Sequence, residues 1–255
     1  GWARGLDRVV DLLEKLRKSY PDDTQVQLLL ARAYRNRHYA LRMRFDLNRA
    51  NADLQTAIDL LTQLEGRDPH SPTYRFELAD LLCVPPVTKW SATPDEETVH
   101  RLERAIQISE QLLTESPTVP EYQALLGSAL RKLASIHFLS RKLEVAKTDY
   151  RRAINLQKSL VTRYPSTRVH HVAYVNSLAG MADVEKELGQ LGHATAELER
   201  AIVVLKDYEV KHTEDRWVRF HRERLEQRLM QWKSPPPSAI PAVPPAPPLA
   251  TSAQS

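Results

Sequence analysis

The chain has 255 residues, 42% of them hydrophobic and 27% charged, with a formal net charge of +4. This balance supports a buried core and excludes a highly charged disordered chain, while the mild positive charge permits an acidic partner without requiring one. The single cysteine, Cys83, excludes an internal disulfide and any paired-cysteine metal motif, and no apolar run reaches the roughly 20 residues that a bilayer-spanning helix needs.

Seven glycines and few alternating β-branched runs favour helix throughout. Residues 5–19 carry Leu6, Val9, Val10, Leu12, Leu13 and Leu16 at helical spacing. That helix should stop before Pro21, because proline disfavours helical geometry in the residue preceding it. Asp22, Asp23 and Thr24 offer N-caps for a helix over about 24–43. A partner helix follows over about 48–66, with Gly66 as its expected C-cap. Another helix begins near Pro72 and Thr73 and should break at Pro85-Pro86. Residues 84–94 are expected to form a loop, with Thr93 or Asp95 capping a helix over 95–115. Helices over 118–139, 142–163, 168–190 and 192–211 complete the predicted array, with Gly189 and Gly192 at the last turn. A final helix over about 214–233 reads as a terminal cap. From Ser234 onward the chain holds eight of its 17 prolines, so a disordered tail of polyproline character is expected.

One stride organises these elements. Pro21, Pro69, Pro117, Pro165 and Thr213 are spaced 48 residues apart. Twelve residues before each stand Val9, Ala57, Ala105, Ala153 and Ala201, followed by Val10, Ile58, Ile106, Ile154 and Ile202. Fifteen before stand Leu6, Leu54, Leu102, Tyr150 and Leu198. A fixed period of this size means stacked supersecondary units. The units are a half-repeat at 5–21, then about 22–69, 70–117, 118–165 and 166–213, with 214–233 closing the stack. The opening half-repeat, and a first residue that is not methionine, give the expectation of a piece of a longer protein. No signal peptide is visible, and a cytoplasmic setting is expected.

Two small residues seven apart flanking a large one, as in Ala146, Tyr150 and Ala153, followed by a terminal proline, resemble the tetratricopeptide repeat (TPR). Ala134 and Ala182, beside Leu133 and Met181, match the small position of that family's first helix. The usual TPR period is 34, and seven more residues in each helix, nearly two turns, would give 48 and keep the packing stripe in register. The resemblance implies an all-α, right-handed α-solenoid of antiparallel helix pairs, about ten helices in all. Long-unit arrays of this kind are found in multidomain bacterial signalling proteins.

The residues offer little chemistry. His170-His171 are adjacent, so on a helix their rings diverge by about 100° and do not chelate together. No HExxH zinc motif, nucleophile elbow or phosphate-cradling glycine loop is present. Cys83 reads as a buried structural thiol. The expectation is therefore no enzyme, no metal and no cofactor.

The resemblance places the first helix of each unit on a concave face. Counting by 48 puts Arg32, Asp80, Ser128 and Asn176 in one row and Arg35, Cys83, Arg131 and Ala179 in a second. Tyr39, Val87, Ser135 and Asp183 form a third, and Arg42, Trp90, Phe138 and Lys186 a fourth. The basic N-terminal rows suit carboxylates, which guanidinium groups grip in bidentate fashion. A protein or peptide, acidic in character, is the expected partner, with solvated surface charge as the plain alternative. The lysine and asparagine pairs of the family's carboxylate clamp are not reproduced. Nucleic acid is disfavoured, because Glu214, Asp215, Glu223 and Glu226 offset the bases of the last helix. Pro241-x-x-Pro244 and Pro245-x-x-Pro248 lack a flanking arginine and read as linker. The other functional reading is the regulatory or assembly portion of a larger signalling protein, acting on its own upstream domain or by self-association.

Overall fold

The computed structural model describes residues 2–86 and 96–234, and among them ten α-helices and no strand. In order they are α1 (Trp2–Ser19), α2 (Thr24–Arg42), α3 (Leu47–Arg67), α4 (Pro72–Leu82) and α5 (Glu96–Glu115). Then follow α6 (Pro120–Leu139), α7 (Leu143–Arg163), α8 (Arg168–Glu187), α9 (Leu191–Lys211) and α10 (Arg216–Lys233). Each helix packs on its chain neighbours, and α6 also touches α4 and α8. The result is an all-α solenoid of antiparallel pairs. The expected loop beyond Pro86 with its caps Thr93 and Asp95, the groove positions Val87 and Trp90, and the proline-rich tail lie outside the described residues.

The 48-residue stride is visible in the hydrogen bonds of both kinds of turn. Asp46, Lys142 and Gln190 donate their backbone N–H to the carbonyls of Leu41, His137 and Glu185, while Phe45, Arg141 and Gly189 donate to Arg42, Phe138 and Lys186. This pair of bonds is a Schellman motif, whose central residue must be left-handed. Phe45, Arg141 and Gly189 have φ of 59°, 60° and 75°. Only the last is a glycine, so the other two carry the strain of a side chain there. At the opposite end, Tyr20, Asp68, Ser116 and Tyr164 donate to Leu16, Leu64, Leu112 and Leu160.

Ala57, Ala105, Ala153 and Ala201 are fully buried, as are Ala50, Ala146 and Ala194. Their missing bulk lets neighbouring helices approach closely. Leu64, Leu112 and Leu160, at most 1% exposed, fill the space beside them. Burying such a side chain stabilises by about 1.5–3 kcal/mol. The two faces of a second helix separate cleanly. Ala153 belongs to the core it shares with α6, whereas Ile154 belongs to the core it shares with α8.

Two arginines with little exposed side chain pair with carboxylates along the array. Arg37 makes a bidentate contact with Asp53 at 2.7 and 2.8 Å, and Arg75 reaches Glu115 at 2.7 and 2.5 Å. One unit on, Gln123 replaces Arg75 and accepts a hydrogen bond from Arg163, which stands where Glu115 stood. The contact persists, with the cation moved to the other helix and the carboxylate replaced by a neutral amide.

Four details depart from the expectations. Gly66 is not a C-cap, since α3 runs on to Arg67 and Asp68 closes it. Gly192 lies inside α9, leaving the turn to Gly189. The last helix begins at Arg216, where Asp215 accepts from the backbone N–H of Trp217 and Val218. In α1 only part of the apolar set is packed, because among the described residues α2 is the only helix packed against it. Val10 is 2% exposed, but Val9, Leu12 and Leu16 are 45%, 59% and 36% exposed.

Candidate protein-binding groove

The first helices α2, α4, α6 and α8 bring the basic rows into contact with acids of the same chain. Glu77, a buried residue of α4, accepts a hydrogen bond from Arg32 at 2.6 Å and another from Arg35 at 3.0 Å. Arg35 also lies 3.8 Å from Asp80. Two of the expected carboxylate-gripping guanidinium groups thus hold a carboxylate that α4 supplies. Burial pushes the Asp80 carboxyl up, against the pull of Arg35 and Lys132. Tyr39 is exposed at 42% and meets His38 edge-on at 5.1 Å. Arg42 is half-buried and forms no ion pair among the described residues.

Further along, α4, α6 and α8 enclose an open cleft of about 370 Å³. Asp80 and Ser128 of the first row line it, together with Phe76, Lys132, Val169 and His170. Phe76, which lines it, packs against the Tyr122 ring at a centroid distance of 5.6 Å. Lys132 donates from Nζ to the Cys83 carbonyl at 2.7 Å. Arg131, half-buried beside it, has no carboxylate partner among the described residues. Burial depresses the pKa of both cations, and nearby acid does little to offset it. Burial also pushes the Cys83 thiol up to about 11.

The remaining predicted residues fall elsewhere. Ser135 lies near the Tyr150 hydroxyl of α7, whose pKa is raised chiefly by burial. Asn176 is exposed on α8. Asp183 pairs with Arg228 of α10, and Lys186 Nζ lies 4.8 Å from the Trp232 ring centre, which Arg228 also covers at 4.5 Å. The helix α10 therefore occupies the last two positions of the groove rows on α8.

Sequence reasoning missed Phe76, Glu77, Lys132 and His170. Glu77 carried a signal, since its counterparts one stride either way are Leu29 and Leu125. A carboxylate in an apolar row implies a cation facing it. Lys132 shares a row with Asn36, Val84 and Gly180, which holds no pattern to read.

No group of three or more potential metal ligands occurs among the described residues. None of their helices is long and apolar enough to cross a membrane. No protein-family profile and no curated protein matches the chain. Among solved structures it is similar to BtubC from P. vanneervenii, with a TM-score of 0.51 and 13% identity, covering 94% of this chain and 95% of that one. The fold is TPR-like. Lower in likeness is TTC0263, a thermophilic TPR protein of Thermus thermophilus, with a TM-score of 0.42 and 15% identity over 89% of this chain and 93% of that one. At these identities the likeness is one of fold. In this TPR-like array the small residues Ala134 and Ala182 are fully buried, as the resemblance required.

Proposed function

We propose that the chain is a protein-interaction scaffold that holds an acidic peptide segment against α4, α6 and α8 and performs no chemistry on it, in a cytoplasmic setting. The observation that carries this reading is Lys132 in the wall of the cleft, with Arg131 next to it in α6. A half-buried Arg131 without a carboxylate, next to a Lys132 that Asp80 only partly offsets, is costly to keep, and a ligand carboxylate would relieve that cost. Phe76, Leu125 and Val169, which line the cleft, offer apolar area for the peptide's side chains. Arg32 and Arg35 serve a different purpose, because Glu77 and Asp80 already pair with them.

Photo-crosslinking from the cleft, with a library of acidic peptides, tests the proposal. Binding should weaken about tenfold or more in Arg131→Glu, by loss of a charged contact, with the melting temperature little changed. It should weaken further with added salt. A peptide set that binds equally to the wild type and to Arg131→Glu would remove the groove from consideration.

A further inference from the structure

The turns that join each first helix to its second lie on one edge of the array, and the described turns of that edge carry apolar tips. Met43 and Phe45, between α2 and α3, are 82% and 85% exposed, more than any other large hydrophobic side chain among the described residues. Leu139 and Val145 flank the turn between α6 and α7 at 55% and 47%, and Leu191 opens α9 at 45%. These turns project even where units lie on both sides. The α6–α7 turn has a unit before it and a unit after it, yet Leu139 keeps its exposure and the Arg141 side chain is 74% exposed. The openness of Met43 and Phe45 is thus a property of this edge and does not depend on what precedes α1. Phe45 also gives the fold little in return for its place. It holds the left-handed position of its turn at a φ of 59°, which Gly189 fills without strain in the last unit.

Charge marks the same edge. Residues 42–49, 138–145 and 186–193, which span these three turns, hold six Lys or Arg against three Asp or Glu. The corresponding windows of the opposite edge are 18–25, 66–73, 114–121, 162–169 and 210–217, and they hold six against seven. Arg42 and Arg44, on either side of Met43, form no ion pair among the described residues.

We infer that this edge docks on an anionic lipid surface, with Met43 and Phe45 entering the boundary between headgroups and acyl chains and Arg42 and Arg44 held at the level of the phosphates. Apolar tips set among basic residues supply both terms of peripheral membrane affinity, burial of apolar area and attraction to acidic headgroups. The tips stand on separate turns along an edge. A fluid bilayer takes them without matching pockets, whereas a folded partner would have to supply a pocket for each. Two copies meeting edge to edge would set the same basic turns against one another, which like charges oppose.

Flotation of the whole chain with unilamellar vesicles tests the inference. The protein should bind vesicles of phosphatidylcholine and phosphatidylserine in equal parts more tightly than vesicles of phosphatidylcholine alone, and added salt should weaken the binding. Phe45→Asn removes the ring and suits the left-handed backbone better, so the melting temperature should hold or rise. Binding to the anionic vesicles should nevertheless fall about tenfold or more, through loss of a buried aromatic side chain. Arg44→Gln should weaken it about fivefold, the share of one basic residue near an acidic surface. Val210→Asn, at a site 79% exposed on the opposite edge, should leave it unchanged. The inference would be overturned by absence of binding to the anionic vesicles, by equal binding to the neutral ones, or by equal losses from Phe45→Asn and Val210→Asn. Self-association in sedimentation that Phe45→Asn abolishes would overturn it too, by assigning the edge to a contact between copies.

Discussion

The phenol ring of Tyr150 in α7 occupies the space that a side chain on Gly180 in α8 would need. A β-carbon placed on Gly180 would lie 2.5 Å from the Tyr150 hydroxyl. The same pair recurs along the array as Leu6 with Asn36, Leu54 with Val84, Leu102 with Lys132 and Leu198 with Arg228. Where the second helix carries leucine, the first helix carries a side chain. Where it carries tyrosine, the first helix carries none. Gly180→Ala should therefore destabilise the protein by about 1–3 kcal/mol through overpacking. Because Tyr150 is itself only 5% exposed, its ring has nowhere to withdraw. Tyr150→Leu should lose stability alone, yet recover part of the loss in the double variant with Gly180→Ala. Thermal melts of the four proteins measure the coupling, and additive losses would mean that the two sites do not share one space.

Ion pairs offer a second test. Asp53 has a side chain only 7% exposed and receives two hydrogen bonds from Arg37. Removing the guanidinium alone strands a buried carboxylate. Arg37→Met should cost about 3–5 kcal/mol in urea unfolding, whereas Arg37→Met with Asp53→Leu should recover most of it. Arg131→Ala, by contrast, strands no acid and should change stability by about 1 kcal/mol or less.

How far these relationships could be read from the residues alone depends on whether they repeat. The stride, the buried alanines and the stop of α4 ahead of Pro85-Pro86 were all legible, since each follows from local chemistry copied at fixed spacing. Gly66 misled because a glycine near a helix end suggests a left-handed cap. The residues that adopt that conformation are at the other turn, and two of them are Phe45 and Arg141. Val9 misled because helical spacing marks an apolar stripe without saying how many neighbours cover it. The groove was least legible. Asp80 and Ser128, which share a row, line one cleft, but the capture of Arg32 and Arg35 by Glu77 is a contact between units. Such contacts depend on side-chain reach across α2 and α4, which a count by 48 does not contain.

Cys83 gives a chemical readout of the same packing. It is 3% exposed, and its thiol is pushed up to about 11, chiefly by burial. The thiolate is the reactive form, so the native protein should react with a disulfide reagent far more slowly than the urea-unfolded chain. Rapid labelling of the native protein at neutral pH would show that the end of α4 opens readily.

Acid should weaken the array through its buried histidines, and His38 is the clearest case. Its Nδ1 lies 2.7 Å from the Ala50 carbonyl, which fixes the proton there. Its Nε2 is buried with no partner among the described residues. Burial therefore lowers the pKa of His38 from the usual 6.5, despite the opposing bond to Ala50, and His171 is lowered likewise. Above pH 6.5 neither state binds the proton and the residue adds no pH dependence. As pH falls below 6.5 the unfolded chain is protonated first, and native stability is lost down to the depressed native value. Each such histidine contributes a slope of at most about 1.4 kcal/mol per pH unit in that window. Urea midpoints measured from pH 7.5 to 5 should fall for the wild type and fall less steeply for His38→Gln. Parallel curves for the two proteins would show that His38 takes up its proton inside the folded state.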